Sequence, residues 1–129
     1  MGMNAVVAGM LRDAGMRDVF TVAVGAQISP CPIVVLEAGY ERDDEVIHGE
    51  RGHVRVQVLC VRETDVEAYE AAMGCADAIR HGAWERYAEQ GDWNVCGMDV
   101  GYPKRTGRDR SGRHVYRLDV DLTIGRDDG

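Results

Sequence analysis

The stretch Gly52–His81 constrains the fold more than any other part of the chain. Val54, Val56, Val58 and Cys60 point one way and His53, Arg55, Gln57 and Val61 the other, the period of a half-buried strand. Thr64 and Glu67 follow at capping-box spacing, and Asp65 and Glu67 place negative charge on the first turn, where the helix dipole favours it. The helix they open carries Val66, Tyr69, Met73, Ala76 and Ile79 as its apolar stripe and ends at Gly82. A strand that runs straight into an amphipathic helix has one economical solution, in which the helix lies back on one face of the sheet. Gly74 inside the helix costs about 1 kcal/mol against alanine; a close approach to the sheet and a tolerated weakness both account for it.

The rest of the chain supplies partners for that unit. Asn4 is placed to cap a short helix over Ala5–Ala14, with Val6, Val7, Met10 and Leu11 on one side and Gly15 as its stop. Val19–Val24 reads as a strand, and Gly25–Pro32 as a loop closed by Pro30-Cys31-Pro32, where alternate prolines force extended backbone. Ile33–Tyr40 is the next strand, with Val34, Leu36, Ala38 and Tyr40 on one face and Ile33 and Val35 on the other. A hairpin would lay it antiparallel to Gly52–Val61. Ala83–Gln90 adds a further turn anchored by Trp84 and Tyr87, and Trp93–Val100 is a fourth strand. In His114–Ile124, Tyr116, Leu118, Val120, Leu122 and Ile124 face in while Arg117, Asp119, Asp121 and Thr123 face out. The expected architecture is a single α+β domain over residues 1–129. It has a mostly antiparallel sheet of about five strands, one main helix on one face, a short N-terminal helix, and a polar outer sheet face left to solvent or another subunit.

Charge and composition narrow the function classes. The net charge is −7, the opposite sign to that of proteins that live by gripping phosphate backbones. No apolar run approaches the roughly 20 residues that cross a membrane, and the opening Met1–Met10 lacks the basic lead of a signal peptide. Val6 stands where a myristoylation signal needs Ser or Thr. Cys31, Cys60, Cys75 and Cys96 show no paired spacing and read as free thiols, Cys60 and Cys75 buried. His48 and His53 have no carboxylate or thiol beside them at zinc-ligand spacing. No Ser, Thr or Cys sits in a nucleophile elbow, and the glycines do not cradle a phosphate after a strand. Neither an enzyme nor a cofactor is expected.

Two connections carry concentrated charge. Glu41–Arg51 is acidic, with Glu41, Asp43, Asp44, Glu45 and Glu50 set against Arg42 before Arg51 closes it. Gly101–Arg113 carries Lys104, Arg105, Arg108, Arg110 and Arg113 against Asp109, a net +4. Three readings stay open for the basic connection: a solvated hairpin tip, a contact with phosphate in a small nucleic-acid-binding module, or a contact with the acidic loop of another copy. Opposed patches of that last kind steer and register an assembly.

The order of elements also carries a resemblance. Pro32-Ile33-Val34-Val35-Leu36 leads to an acidic loop, a Val-rich strand and a helix capped by Thr64. A strand, a long Arg/Gly connection and the closing strand Val115–Ile124 follow. The pattern, over roughly residues 4–125, resembles the tail-terminator or tail-completion proteins of long-tailed phages and prophages, often called minor capsid proteins. That resemblance implies a structural, non-enzymatic virion protein at the head–tail junction, made in the bacterial host cytoplasm. It implies a homo-oligomeric ring, commonly a hexamer, that caps the tail tube and meets the head-connector protein. DNA would pass through the lumen without specific binding, and no membrane is involved. The Gly82–Asp92 segment is longer, and the N-terminal helix shorter, than that family's pattern.

Overall fold

The computed structural model describes residues 2–43 and 49–127. In chain order its elements are α1 (Asn4–Asp13), β1 (Val19–Phe20), β2 (Ile33–Arg42), β3 (Glu50–Arg62) and α2 (Asp65–Arg80). A 3₁₀ turn (Trp84–Tyr87) follows, then β4 (Glu89–Gln90), β5 (Trp93–Val100), β6 (Lys104–Arg108) and β7 (His114–Arg126). The strands form one sheet in the order β1-β2-β3-β7-β5-β4, with β6 also paired to β7. Its centre is β3 against β7, antiparallel and in unbroken register from Glu50↔Arg126 to Arg62↔His114.

Both helices pack on one face of that sheet. Val54, Val56, Val58 and Cys60 from β3, Leu118, Val120, Leu122 and Ile124 from β7, and Val6, Val7 and Leu11 from α1 are fully buried in one core cluster. The alternation read in Gly52–Val61 and His114–Ile124 is the alternation observed, because one face has an apolar partner along its whole length.

The architecture is α+β, but the sheet has seven strands rather than about five, and it is mixed. β1 runs parallel to β2 (Val19↔Ile33, Phe20↔Val34), so the connection 21–32 is a return loop and not a hairpin. β1 is also two residues long rather than six. Asn4 explains why. It is not a cap: Met3 holds the N-cap position without a side-chain bond, and the Asn4 amide donates to Thr21 O at 3.2 Å and Val35 O at 3.1 Å. That side chain bridges the carbonyls of Thr21 and Val35, the residues just past the last pair Phe20↔Val34. β4 and β6 are the strands absent from the sequence reading, one too short and one too polar to show periodicity.

Two further corrections concern which way residues face. A bulge between Glu37 and Gly39 shifts the register of β2 by one residue, so Tyr40 pairs with the inward Val54 and shares the core face instead of lying opposite it with Val34 and Leu36. On α2 the buried stripe is Ala68, Ala72, Cys75, Ala76 and Ile79, while Val66 and Tyr69 are 64% and 45% exposed. Small side chains face the sheet and bring the helix close to it; the larger ones lie on its flank. The N-cap half of the capping box is present, with Glu67 N–H donating to Thr64 Oγ1 at 3.2 Å, and the Glu67 carboxylate accepts from the Thr64 hydroxyl at 2.8 Å. The outer sheet face is not uniformly polar either, since Val34 and Val61 are buried there.

Gly52 lies under the Tyr40 ring, and a methyl at its α-carbon would overlap that ring and the Glu41 carbonyl. Gly52→Ala is expected to cost about 1–3 kcal/mol of stability, read as a lower thermal midpoint; an unchanged midpoint would show that the Tyr40 corner yields freely. Cys60 and Cys75 meet with their sulfurs 3.7 Å apart between β3 and α2, and both are buried and free, whereas Cys96 is exposed. Its hydrogen bond with Cys75, in which the protonated Cys60 thiol can donate, together with burial pushes the Cys60 thiol well above its usual value. Thiol titration of the native protein should therefore modify Cys96 promptly and reach Cys60 and Cys75 only on unfolding.

Candidate functional site

The two charged connections lie at opposite ends of the β3–β7 spine. The acidic end is where β2 hands over to β3, beside Gly125 and Arg126; the basic end is the β6–β7 turn, beside Arg62. Thirteen residues of β3 separate them, about 40 Å at roughly 3.3 Å per residue.

At the basic end, Gly101–Arg113 is not one long connection. β5 and β6 run along the same edge of β7, with Val100 opposite Val120 and Lys104 opposite Arg117. The edge thus advances four residues for three on β7, a bulge at Gly101–Pro103 where only Gly101 N–H still bonds β7, to Asp119 O at 2.9 Å. Beyond β6 the turn is built by Asp109. Its carboxylate accepts from Ser111 N–H at 3.0 Å, Arg113 N–H at 2.9 Å and Arg113 Nε at 2.7 Å. Burial alone would raise the Asp109 pKa, but the bonds from Arg113 and Ser111 outweigh it and hold the carboxyl below its ordinary value.

The five predicted cations therefore divide. Arg113 is 8% exposed and donates to Ser29 O and Pro30 O at 3.1 and 2.7 Å; it fastens the turn to the 21–32 loop. Arg105 pairs with Asp65 on the first turn of α2 at 2.9 Å, and the Tyr116 hydroxyl donates to the same carboxylate. Lys104, Arg108 and Arg110 are exposed, and among the described residues they have no partner.

The predicted acids divide in the same way. Glu50 accepts from the Tyr40 hydroxyl at 2.7 Å and from Arg126 at 3.0 Å, while Arg126 lies over the Trp93 ring. The Tyr40 bond is the largest influence holding the Glu50 carboxyl below its ordinary value, against a smaller opposing effect of burial, with Arg126 helping. Glu50 is thus part of a structural corner. Glu41 is exposed at the end of β2, and Asp43 follows with its N–H on Arg51 O. Asp44 and Glu45, with His48, lie outside the described residues.

A third surface lies on the flank of α2 that the sequence pattern assigns to the core. Val66, Tyr69 and Met73 lie roughly 100° around α2 from the buried alanines, at about 100° per residue. Tyr69 packs edge-on against Tyr116 at 5.6 Å. Tyr102, in the β5–β6 bulge, is 78% exposed with the Arg80 guanidinium 5.6 Å over its ring. Only the offset between the alanine stripe and these larger residues could have revealed it from sequence.

On the outer sheet face an open concavity is lined by Ala38, Gly39, Glu41, His53, Arg55 and Asp121, with His53 Nδ1 3.3 Å from Asp121. Among the described residues no three His, Cys, Asp or Glu side chains are grouped to hold a metal ion, and no helix is long and apolar enough to cross a membrane.

No protein-family model and no curated protein matches the chain. A solved structure does. The chain is similar to one from the virion of a native gene transfer agent (GTA) particle, with a TM-score of 0.57 and 11% sequence identity, over 95% of this chain and 94% of that one. At that identity the likeness is one of fold, and it extends over nearly the whole of both chains.

The two structural carboxylates set an acid limit. Each has a depressed folded-state value, so each contributes stability that is complete above the ordinary carboxylate range, near pH 4, and is lost as pH falls through the folded value. Stability should fall below about pH 4, and Asp109→Asn and Glu50→Gln should each flatten that dependence. Asp109→Ala, which also strands a buried guanidinium, is expected to cost about 3 kcal/mol at neutral pH by chemical denaturation.

Proposed function

We propose that this protein is a structural component of a phage or phage-like virion. In this reading it is not an enzyme. It assembles as a homo-oligomeric ring that caps the tail tube and joins it to the head connector. The observation that carries the proposal is the fold shared, nearly end to end, with a chain of a gene transfer agent virion.

The placement of charge supports the ring. In the sequence the 41–51 connection holds five acids against two arginines and the 101–113 connection five cations against Asp109; set at opposite ends of a 13-residue strand, the excess charges are too far apart to meet within one copy. Across copies they make a head-to-tail contact, which closes as a ring when the rotation permits. The net charge of −7 suits a lumen through which DNA passes without being held.

A nucleic-acid-binding role through the 101–113 hairpin is the weaker reading. Two of its five cations are committed to Asp109 and Asp65, leaving three in a strongly acidic protein. If the ring contact is electrostatic, sedimentation should show concentration-dependent oligomers that weaken as salt rises from about 0.05 to 0.5 M, where the Debye length shortens from about 14 to about 4 Å. Lys104→Glu with Arg108→Glu should weaken association further at low salt. A protein that stays monomeric at every ionic strength, with tail tubes added, would sink the proposal; a low-salt DNA shift abolished by the same substitutions would favour the alternative.

A further inference from the structure

We infer that Cys60 and Cys75 are an oxidisable pair, which a peroxide converts to a disulfide that staples α2 to the centre of the sheet. The inference concerns the core and does not rest on the ring reading above.

Cys60 stands on the core face of β3, paired across to Tyr116 of β7 and Ile33 of β2. Cys75 faces it from α2, between Ala72 and Ala76 on the stripe that lies against the sheet. Those alanines bring the helix backbone close enough for two short side chains to meet, and the sulfurs are 3.7 Å apart. A disulfide needs about 2 Å, so each sulfur has less than about 1 Å to travel, a small turn about each Cα–Cβ bond. Ile79 is the one large aliphatic side chain that α2 buries outright. The helix is therefore held by little apolar area, and a covalent tie to β3 adds much to its attachment.

The two thiols have distinct parts in the chemistry. The hydrogen bond from Cys60 holds the Cys75 thiol below its ordinary value against the effect of burial, with the Arg62 guanidinium helping, so Cys75 is the sulfur that attacks. Its thiolate takes one peroxide oxygen, the O–O bond breaks, and the departing hydroxide leaves as water with the Cys75 proton. Cys75 is then a sulfenic acid. The Cys60 sulfur attacks the Cys75 sulfur, the S–O bond breaks, and a second water leaves with the Cys60 proton. In sum, two thiols and one peroxide give one disulfide and two waters. The buried pair is closed to a bulky thiol reagent while the protein is folded, but hydrogen peroxide is close to water in size. A cytoplasm keeps such a pair reduced and an oxidising exterior does not. For a virion, assembled in the first and released into the second, the staple would set after assembly; that consequence alone rests on the virion reading.

The test uses the full chain carrying Cys31→Ser and Cys96→Ser, so that no other thiol can pair within or between copies. The reduced, folded protein is treated with hydrogen peroxide, then denatured and alkylated. Its mass should fall by two hydrogens and no sulfur should accept the alkylating reagent. The link closes a span of 15 residues, so the thermal midpoint should rise by about 10 °C and return when a dithiol reductant is added. Adding Cys75→Ala should abolish the rise. Should the two serine substitutions impair folding, the parent chain treated in the same way and cut into peptides should yield a Cys60–Cys75 link. Two thiols still open to alkylation, at a peroxide level that oxidises Cys96 of the parent, would overturn the inference. So would a link that leaves the midpoint unchanged or lower, because the bond would then not staple the helix. Neither result bears on the ring, whose test is association.

Discussion

The pairing of β3 with β7 is the constraint on which the rest depends. Thirteen consecutive residue pairs keep one register, so every inward side chain on both strands meets the helices and none changes face. Leu118, Leu122, Ile124, Val54, Val56 and Val58 are all fully buried along this spine, each burial stabilising by roughly 1.5–3 kcal/mol before the entropy of ordering is set against it. A slip of one residue would turn the apolar row of one strand to solvent while the other still faced the core. Because the spine is long and continuous, it also fixes the distance between the acidic and basic ends. Their separation is a property of the core.

Irregularities are confined to the strands on either side of that spine. The bulge in β2 delivers Tyr40 to the core face, where its hydroxyl and Arg126 organise Glu50. The bulge between β5 and β6 throws Tyr102 outward. In both places the extra residue re-aims one aromatic side chain while the centre of the sheet stays regular. Charged residues that look alike in sequence are thereby sorted: Glu50 and Arg113 hold corners together, and Glu41, Lys104 and Arg108 are left facing outward.

Much of the fold was legible in the sequence because periodicity reports burial. The strands around Val54–Cys60 and Leu118–Ile124, the α1 face of Val6, Val7, Met10 and Leu11, the Thr64 cap and the buried Cys60 and Cys75 all follow from alternation, spacing and residue type. What escaped depends on contacts distant in sequence. Asn4 resembled a cap, but its amide is claimed by Thr21 and Val35. Lys104–Arg108 has no apolar alternation, since its pairing comes entirely from the free edge of β7. The α2 stripe was misjudged because alanine carries a weak hydrophobic signal while making the closest approach to a sheet. The same weakness governs the candidate surfaces: sequence identifies charge, but not that Asp109 has already taken Arg113.

The order in which the spine is written along the chain has a kinetic consequence. The residues that pair across it are 52 positions apart at the Arg62↔His114 end and 76 at the Glu50↔Arg126 end. Loop closure over such spans precedes the reward of the contacts it makes possible, and topologies of this kind fold slowly. During synthesis the β2–β3 hairpin and α2 can form early, but the apolar face they share stays open on one side until β7 emerges. A nascent chain halted in the basic hairpin would display Val54, Val56 and Val58 along an unpaired edge, which is the hazard that edge strands pose to their neighbours. The central strand is thus also the last to arrive, and a ribosome-bound chain has no sheet centre of its own until translation has passed the hairpin.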